Sequence, residues 1–217
     1  MAKFDNIWNA TKAFEGGYQA MVSDPANYCP SQGKAGSQLI GTNHGISAIG
    51  KAHYDGGKCP TVAQMKALSV TEAKKIAKAQ YWDPIKGDKI NSQAIAHLIF
   101  DFTYGGKSGT LQTRQAINAI KGKGTVNEYA SFDLSDNEIA LINSIPEKQL
   151  FDKLIQIRKQ FYVGHTYQTG LTNRLNDLQQ LYVNTVKNTI ATAQRHLVPL
   201  LIIGTLFSVG LFFFFLQ

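Results

Sequence analysis

Apolar residues recur at three- and four-residue spacing along most of the chain, the period of an amphipathic helix. Phe4, Ile7, Trp8, Thr11 and Phe14 mark a first helix over Asp5 to Phe14, and Gly16-Gly17 ends it. Thr61 can cap a short helix to Leu68. Thr71 can cap another running to Trp82, with lysines outward and alanine, isoleucine and tyrosine inward. Asn91-Ser92 opens SQAIAHLIFDFTY, apolar nearly all round and therefore the expected central buried helix, closed by Gly105-Gly106. Leu111 to Ile120 is amphipathic, and Ser135 with Glu138 makes a capping-box pattern. Pro146 opens a long helix with Leu150, Leu154, Ile157 and Phe161 on one stripe, and a last helix starts near Leu171. Between Gln19 and Pro60 no period is sustained. Glycine, proline, serine and asparagine are frequent there, which fits short strands or a long loop. A loop of that length in a compact domain is usually functional. KGKGT at Lys121 to Thr125 is the expected hinge between two lobes.

The pattern changes at the end of the chain. Leu197 to Leu216 carries no charge, and twenty residues at a helical rise span about 30 Å, the hydrocarbon thickness of a bilayer. We expect a transmembrane helix over 197–216, with Pro199 in its first turn. Lys187, Arg195 and His196 flank it, and by the positive-inside rule they favour a cytoplasmic soluble part. The N-terminus MAKFDNIWNATKAF has no apolar stretch or cleavage pattern of a secretory signal. The expectation is a single-pass membrane protein with a C-terminal anchor, touching lipid through that helix.

Composition adds little to the picture except charge. Of 217 residues, 44% are hydrophobic, which allows a packed core, and 22 Lys plus Arg against 15 Asp plus Glu give a formal charge of +7. A cationic face suits an anionic wall polymer or anionic lipid. The lysines are scattered and no nucleic-acid-binding motif is spaced along the chain, so nucleic acid is not an expected partner.

The most informative chemistry lies at the first helix end, AFEGGYQAMVSDP. Glu15 stands at a helix C-terminus, where the dipole is negative, between Phe14 and Tyr18, which exclude water. Both effects disfavour the charged carboxylate and would raise its pKa, as a general acid for glycosidic cleavage requires. Asp24, in the polar turn Ser23-Asp24-Pro25, should stay ionised. One carboxyl pushed up beside one left alone is the pattern of a glycosidase pair. The plainer reading is a surface Glu15 and a turn-forming Asp24. Cys29 and Cys59 could form a disulfide or stay free. Together with His44, His53 and Asp55 they are also possible zinc ligands, although no recognised ligand spacing joins them. Asp101 inside LIFDF reads as a buried structural acceptor.

EGGY at Glu15 to Tyr18, DP at Asp24-Pro25, TNHGIS at Thr42 to Ser47, Tyr81-Trp82-Asp83 and the helix IAHLIFDFTYGGKSGTLQTRQAI together resemble glycoside hydrolase family 108. This is a family of lysozyme-like N-acetylmuramidases with a C-terminal peptidoglycan-binding region. The similarity runs over residues 4–180, to Thr172-Asn173-Arg174-Leu175. It implies a mainly α, lysozyme-like helical domain with a long irregular active-site segment. Residues 1–85 would be the catalytic lobe and 86–190 a helical lobe resembling the peptidoglycan-binding region. It implies that Glu15 is the acid cleaving the β-1,4 bond between N-acetylmuramic acid and N-acetylglucosamine, with Asp24 the second carboxylate and Thr42 holding water or sugar. Tyr18, Asn43, His44 and Trp82 are the expected substrate contacts, with Tyr28 and Tyr54 further candidates for stacking. The reaction needs water and no cofactor. The chain departs from the pattern in a longer run from Ala26 to Gly41 and in Tyr104-Gly105-Gly106, where the family often has an asparagine. Two alternatives stand beside this reading, a non-catalytic membrane-anchored peptidoglycan-binding protein and a zinc-dependent peptidoglycan peptidase. The enzyme would be bacterial and held at the cytoplasmic membrane, or phage-encoded. The side of the membrane it occupies is open, because the wall lies outside the side favoured by the flanking charge.

Overall fold

The computed structural model describes residues 1–11, 16–105, 108–164 and 168–184. They are mainly helical, as the periodicity predicts, and fall into two compact units, Met1–His165 and Thr166–Gln217. In the second unit, residues 168–184 are helical. The expected span over 197–216 lies outside the described residues, and among those described no helix is long and apolar enough to cross a membrane.

In the first unit, α1 (Phe4–Thr11) buries Phe4, Ile7, Trp8 and Thr11, the predicted stripe as far as it is described. The aperiodic segment that follows is neither all loop nor one sheet. It holds a 3-10 turn at Pro25–Asn27 and two separate two-stranded antiparallel pairs. β1 (Tyr28–Cys29) pairs with β2 (Gln38–Leu39), and β3 (Thr42–Asn43) with β4 (Ile46–Ser47). Helix α2 (Ala48–Tyr54) leaves the second pair directly, capped by Ser47, whose Oγ accepts from Gly50 N. Cys29 and Cys59 are bonded, so the end of β1 is tied to the chain beyond α2.

Thr61 caps α3 (Val62–Lys66) in a full capping box with Gln64. The next cap is Ser69 rather than the expected Thr71. Its hydroxyl accepts from Glu72 N, so α4 (Val70–Ala77) begins two residues earlier. The helix does not run uniformly to Trp82. Lys78–Trp82 is a π-helical turn, with Asp83 N donating to Lys78 O at 2.9 Å.

Helix α5 (Gln93–Tyr104) is the centre of the core, buried at every residue from Ile95 to Tyr104. Helices α6 (Gly109–Lys121) and α8 (Glu147–Tyr162) pack against it. At Gly109 a Cβ would stand 2.1 Å from Thr103 Oγ1 and 2.5 Å from Ile99 O, so only glycine lets α6 start this close to α5. The buried face of α8 is Leu150, Phe151, Leu154, Ile155, Arg158 and Tyr162, which keeps Leu150 and Leu154 of the predicted stripe but not Ile157 or Phe161, and Phe161 is 52% exposed. The displacement has a cause. Arg158 takes a core position with its guanidinium over the Phe102 ring at 4.5 Å, donating to Ser108 Oγ and Gln112 Oε1. A polar residue satisfied in this way is invisible to an apolar count.

A second cation is buried on α6. Arg114, 1% exposed, pairs through Nε with Glu138 Oε1 at the start of α7 (Asp136–Ser144). Burial pushes the Glu138 carboxyl up, but Arg114 and the Ser135 hydrogen bonds outweigh it and hold the pKa below the usual range. The Lys121–Thr125 stretch is a turn in which Gly122 and Gly124 take positive φ and the Asn118 side chain grips Val126 N and O.

Candidate active site

The candidate acid sits in sequence between two anchored points. Upstream, Thr11 is fully buried, and its hydroxyl lies 3.3 Å from His97 Nε2 on α5. Downstream, Tyr18 OH donates to Ile40 O at 2.8 Å, and Gln19 exchanges backbone hydrogen bonds with Thr42 in both directions at 2.8 Å. Glu15 itself, with Lys12, Ala13 and Phe14, lies outside the described residues.

The downstream anchor is organised by a residue that pattern reading missed. Asn27 is completely buried. Its Oδ1 accepts from Thr42 Oγ1 at 2.6 Å and Gln19 Nε2 at 3.3 Å. Its Nδ2 donates to Gln19 Oε1 and Met21 O, both at 3.0 Å. Its backbone carbonyl accepts from Ile40 N and Gly41 N. One amide thus stitches the strand after EGGY to both strand pairs, and every polar atom of its side chain is used. The only sequence clue was an asparagine shortly after DP, indistinguishable from the turn formers around it. Gly41 completes the junction. At φ +104, a Cβ there would meet Gln19 O at 2.5 Å and the Tyr18 ring at 2.8 Å.

Asp24 and Thr42 meet at this hub. Asp24 Oδ1 accepts from Ala26 N at 2.9 Å and caps the 3-10 turn, while its carbonyl accepts from Asn27 N. Thr42 donates its proton to Asn27, so its hydroxyl can offer a ligand only lone pairs. Tyr18 is half-buried, with the Lys66 ammonium 5.2 Å from its ring centroid.

His44 and Gly45 form the two-residue loop of the β3–β4 hairpin, both with positive φ, the type I′ geometry that matches strand twist. The His44 carbonyl accepts from Tyr104 OH on α5 at 2.8 Å. Tyr104 belongs to an aromatic run joining this hairpin to α1, through Phe100 (5.4 Å between centroids) and Trp8 (6.3 Å).

Two of the expected substrate contacts, Trp82 and Asn43, are buried and engaged with the protein's own groups. Trp82 is 0% exposed, packed on Phe4 and Phe100 with Nε1 donating to Asp88. It lies at the end of the π turn and shows no open face to solvent. Asn43 is 4% exposed and spends its Nδ2 on Met65 O and Lys66 O, fastening the hairpin to α3. Of the stacking candidates, Tyr28 is half-buried and donates to Val22 O, and Tyr54 is 43% exposed.

The zinc constellation is dispersed. Its two cysteines are bonded to each other and Asp55 pairs with Lys51 at 2.6 Å. Among the described residues no group of three or more His, Cys, Asp or Glu stands ready for a metal.

Residues 8–106 match the family model described as glycosyl hydrolase 108. Among solved structures, one titled as the structure of Brucella abortus SagA has a TM-score of 0.66 at 19% identity. The match covers 83% of this chain and 94% of that one, and it shows the shared helical fold. No curated protein matches the chain. The Asn27 hub falls inside the matched segment, as do all the residues expected from the EGGY, DP and TNHGIS motifs. The match over residues 8–106 makes the chain similar to glycoside hydrolase family 108 and supports a glycoside hydrolase, with peptidoglycan hydrolysis supported at the family level.

Proposed function

We propose that this enzyme cleaves the β-1,4 bond between N-acetylmuramic acid and N-acetylglucosamine, with Glu15 donating a proton to the leaving oxygen. As that bond breaks, positive charge develops on the sugar. Asp24, or a water held by Asp24 and Thr42, answers it. The observation that carries the reading is the Gln19–Asn27–Thr42 junction. It fixes Gln19, four residues after Glu15 in sequence, against the segment bearing Asp24 and Thr42, and so braces those two motif residues against the chain that follows EGGY. Fixed groups are what acid catalysis needs, since positioning precedes pKa in importance.

The C-terminal stretch 197–216 would tether the enzyme to a membrane, which its twenty uncharged residues support. Protease accessibility in intact and opened cells would then report which side the catalytic domain occupies.

The test is to incubate the full chain with peptidoglycan and analyse the fragments. New reducing ends at muramic acid are expected. Glu15→Gln should lower turnover by about 10²- to 10⁴-fold while leaving binding intact, because the isosteric amide cannot donate that proton. A Glu15→Gln enzyme of full activity would overturn the acid assignment. New amino groups abolished by a chelator would indicate a peptidase, and retention on the wall without fragments would indicate a binding protein.

A further inference from the structure

A cavity of about 480 Å³ opens between the end of α2, the π-helical turn and the loop before α7. It shares no residue with the Asn27 hub. His53, Gln80, Tyr81, Pro84, Phe132 and Asp133 line it. Three observations make it a built site. The π turn, a rare feature concentrated at functional positions, supplies Gln80 and Tyr81. Gln80 is fixed by its Nε2 donating to Gly50 O at 2.9 Å. The opposite wall is pinned from behind. The buried Arg114 donates to Asp133 O at 3.0 Å, and Leu134 N donates to Pro84 O at 2.9 Å, so Phe132 and Asp133 stand on a held backbone.

The lining selects the ligand. No lysine or arginine is present, so an anion finds no partner despite the basic chain. One exposed carboxylate and one imidazole cannot hold a strong cation, but both suit hydroxyl groups. Phe132 is half-buried and leaves part of its ring for an apolar sugar face. Ala79 and Pro84 give an apolar wall suited to a methyl group. An apolar cavity with a few fixed polar groups is the form of a small-ligand site, and this volume lies within the usual range. We propose that the cavity is an accessory subsite for one neutral N-acetylated amino-sugar residue, holding the glycan at a point separate from the scission site. The inference rests on the glycan-cleaving reading for its substrate class, but it assigns residues that reading does not use.

The test uses the full chain carrying Glu15→Gln, titrated with the trimer of N-acetylglucosamine. The readout is the His53 ring proton resonance, assigned by its loss in His53→Gln. Saturable movement of that resonance is expected. Asp133→Asn, a change at an exposed residue, and Phe132→Ala should each require at least fivefold more trimer. A His53 signal that stays still, or moves at the same trimer concentration in both variants, overturns the subsite. Turnover of peptidoglycan by the unmodified chain is measured in parallel. Turnover with a silent His53 removes this proposal alone, whereas absent turnover removes the glycosidase reading.

Discussion

The strand-pair segment, residues 16–60, and the helical core around α5 are held together by different physics. The core is an apolar stack in which Phe100, Ile99, Leu98 and Ile95 are almost fully removed from water. The segment has only a few buried apolar side chains, Cys29, Ile40, Ile46, Ala48 and Ala52 among them. It depends instead on the Asn27 amide, backbone pairing of Gln19 with Thr42, and the Cys29–Cys59 bond. Hydrophobic burial is non-directional and tolerates repacking. Hydrogen bonds are directional and fail when one partner is lost. The segment that would place Asp24 and Thr42 under the proposed function is built from the directional kind.

The contrast can be broken first in the core, at the buried Arg114–Glu138 ion pair. Arg114→Met leaves Glu138 buried and unpaired, and should cost about 3–5 kcal/mol, read as a lowered midpoint in urea unfolding. Restoring neutrality with Arg114→Met and Glu138→Leu together should recover much of that loss. Next in size, reducing the disulfide releases a loop of sequence separation 30, worth about 3–4 kcal/mol on the chain-entropy account. If the two regions are as distinct as argued, hydrogen exchange should rise in 16–60 far more than in α5.

A smaller change sharpens the same point. Asn27→Ala strands Gln19, Thr42 and the Met21 carbonyl, and should cost about 1–3 kcal/mol. Activity should fall much further than that stability loss explains, with kcat affected more than KM. A variant that retains normal kcat would show that the hub is merely structural. The smallest expected effect is on the surface. Lys89 and Lys86 hold the exposed Asp136 carboxyl down at about 2, from an ordinary 3.8. A lowered folded-state pKa stabilises the fold above the unfolded value, and this contribution is lost as pH falls through the folded one. The small stability gap between the parent and Asp136→Asn should therefore close between pH about 4 and about 2, and also at high salt.

Legibility in the sequence follows the same division. The α1 stripe, the all-round apolar α5 and the capping boxes at Thr61 and Ser135 were readable, because periodicity and caps are local signals. The α8 stripe is right at Leu150 and Leu154 and departs from the structure at its C-terminal half, where Arg158 is buried by long-range partners, Phe102 and Ser108. The burial of Trp82 at the end of a π turn has no mark in an apolar pattern, since that turn departs from the 3.6-residue period. The EGGY, DP and TNHGIS motifs located the candidate site, but Asn27, which binds two of them together, has no local signature. Its role comes from partners 8 and 15 residues away.

The hydroxyl of Tyr104 hangs the hairpin tip from the last residue of the central helix. On the proposed function, a glycan strand contacting His44 would meet a loop whose shape is already decided, so docking need not freeze it. Freezing an adaptable group ordinarily costs about 0.5–1.5 kcal/mol per side chain, and here folding has settled that cost beforehand. Tyr104→Phe would leave the stack in place and hand the cost back to the encounter, as slower capture of the wall rather than a weaker fold.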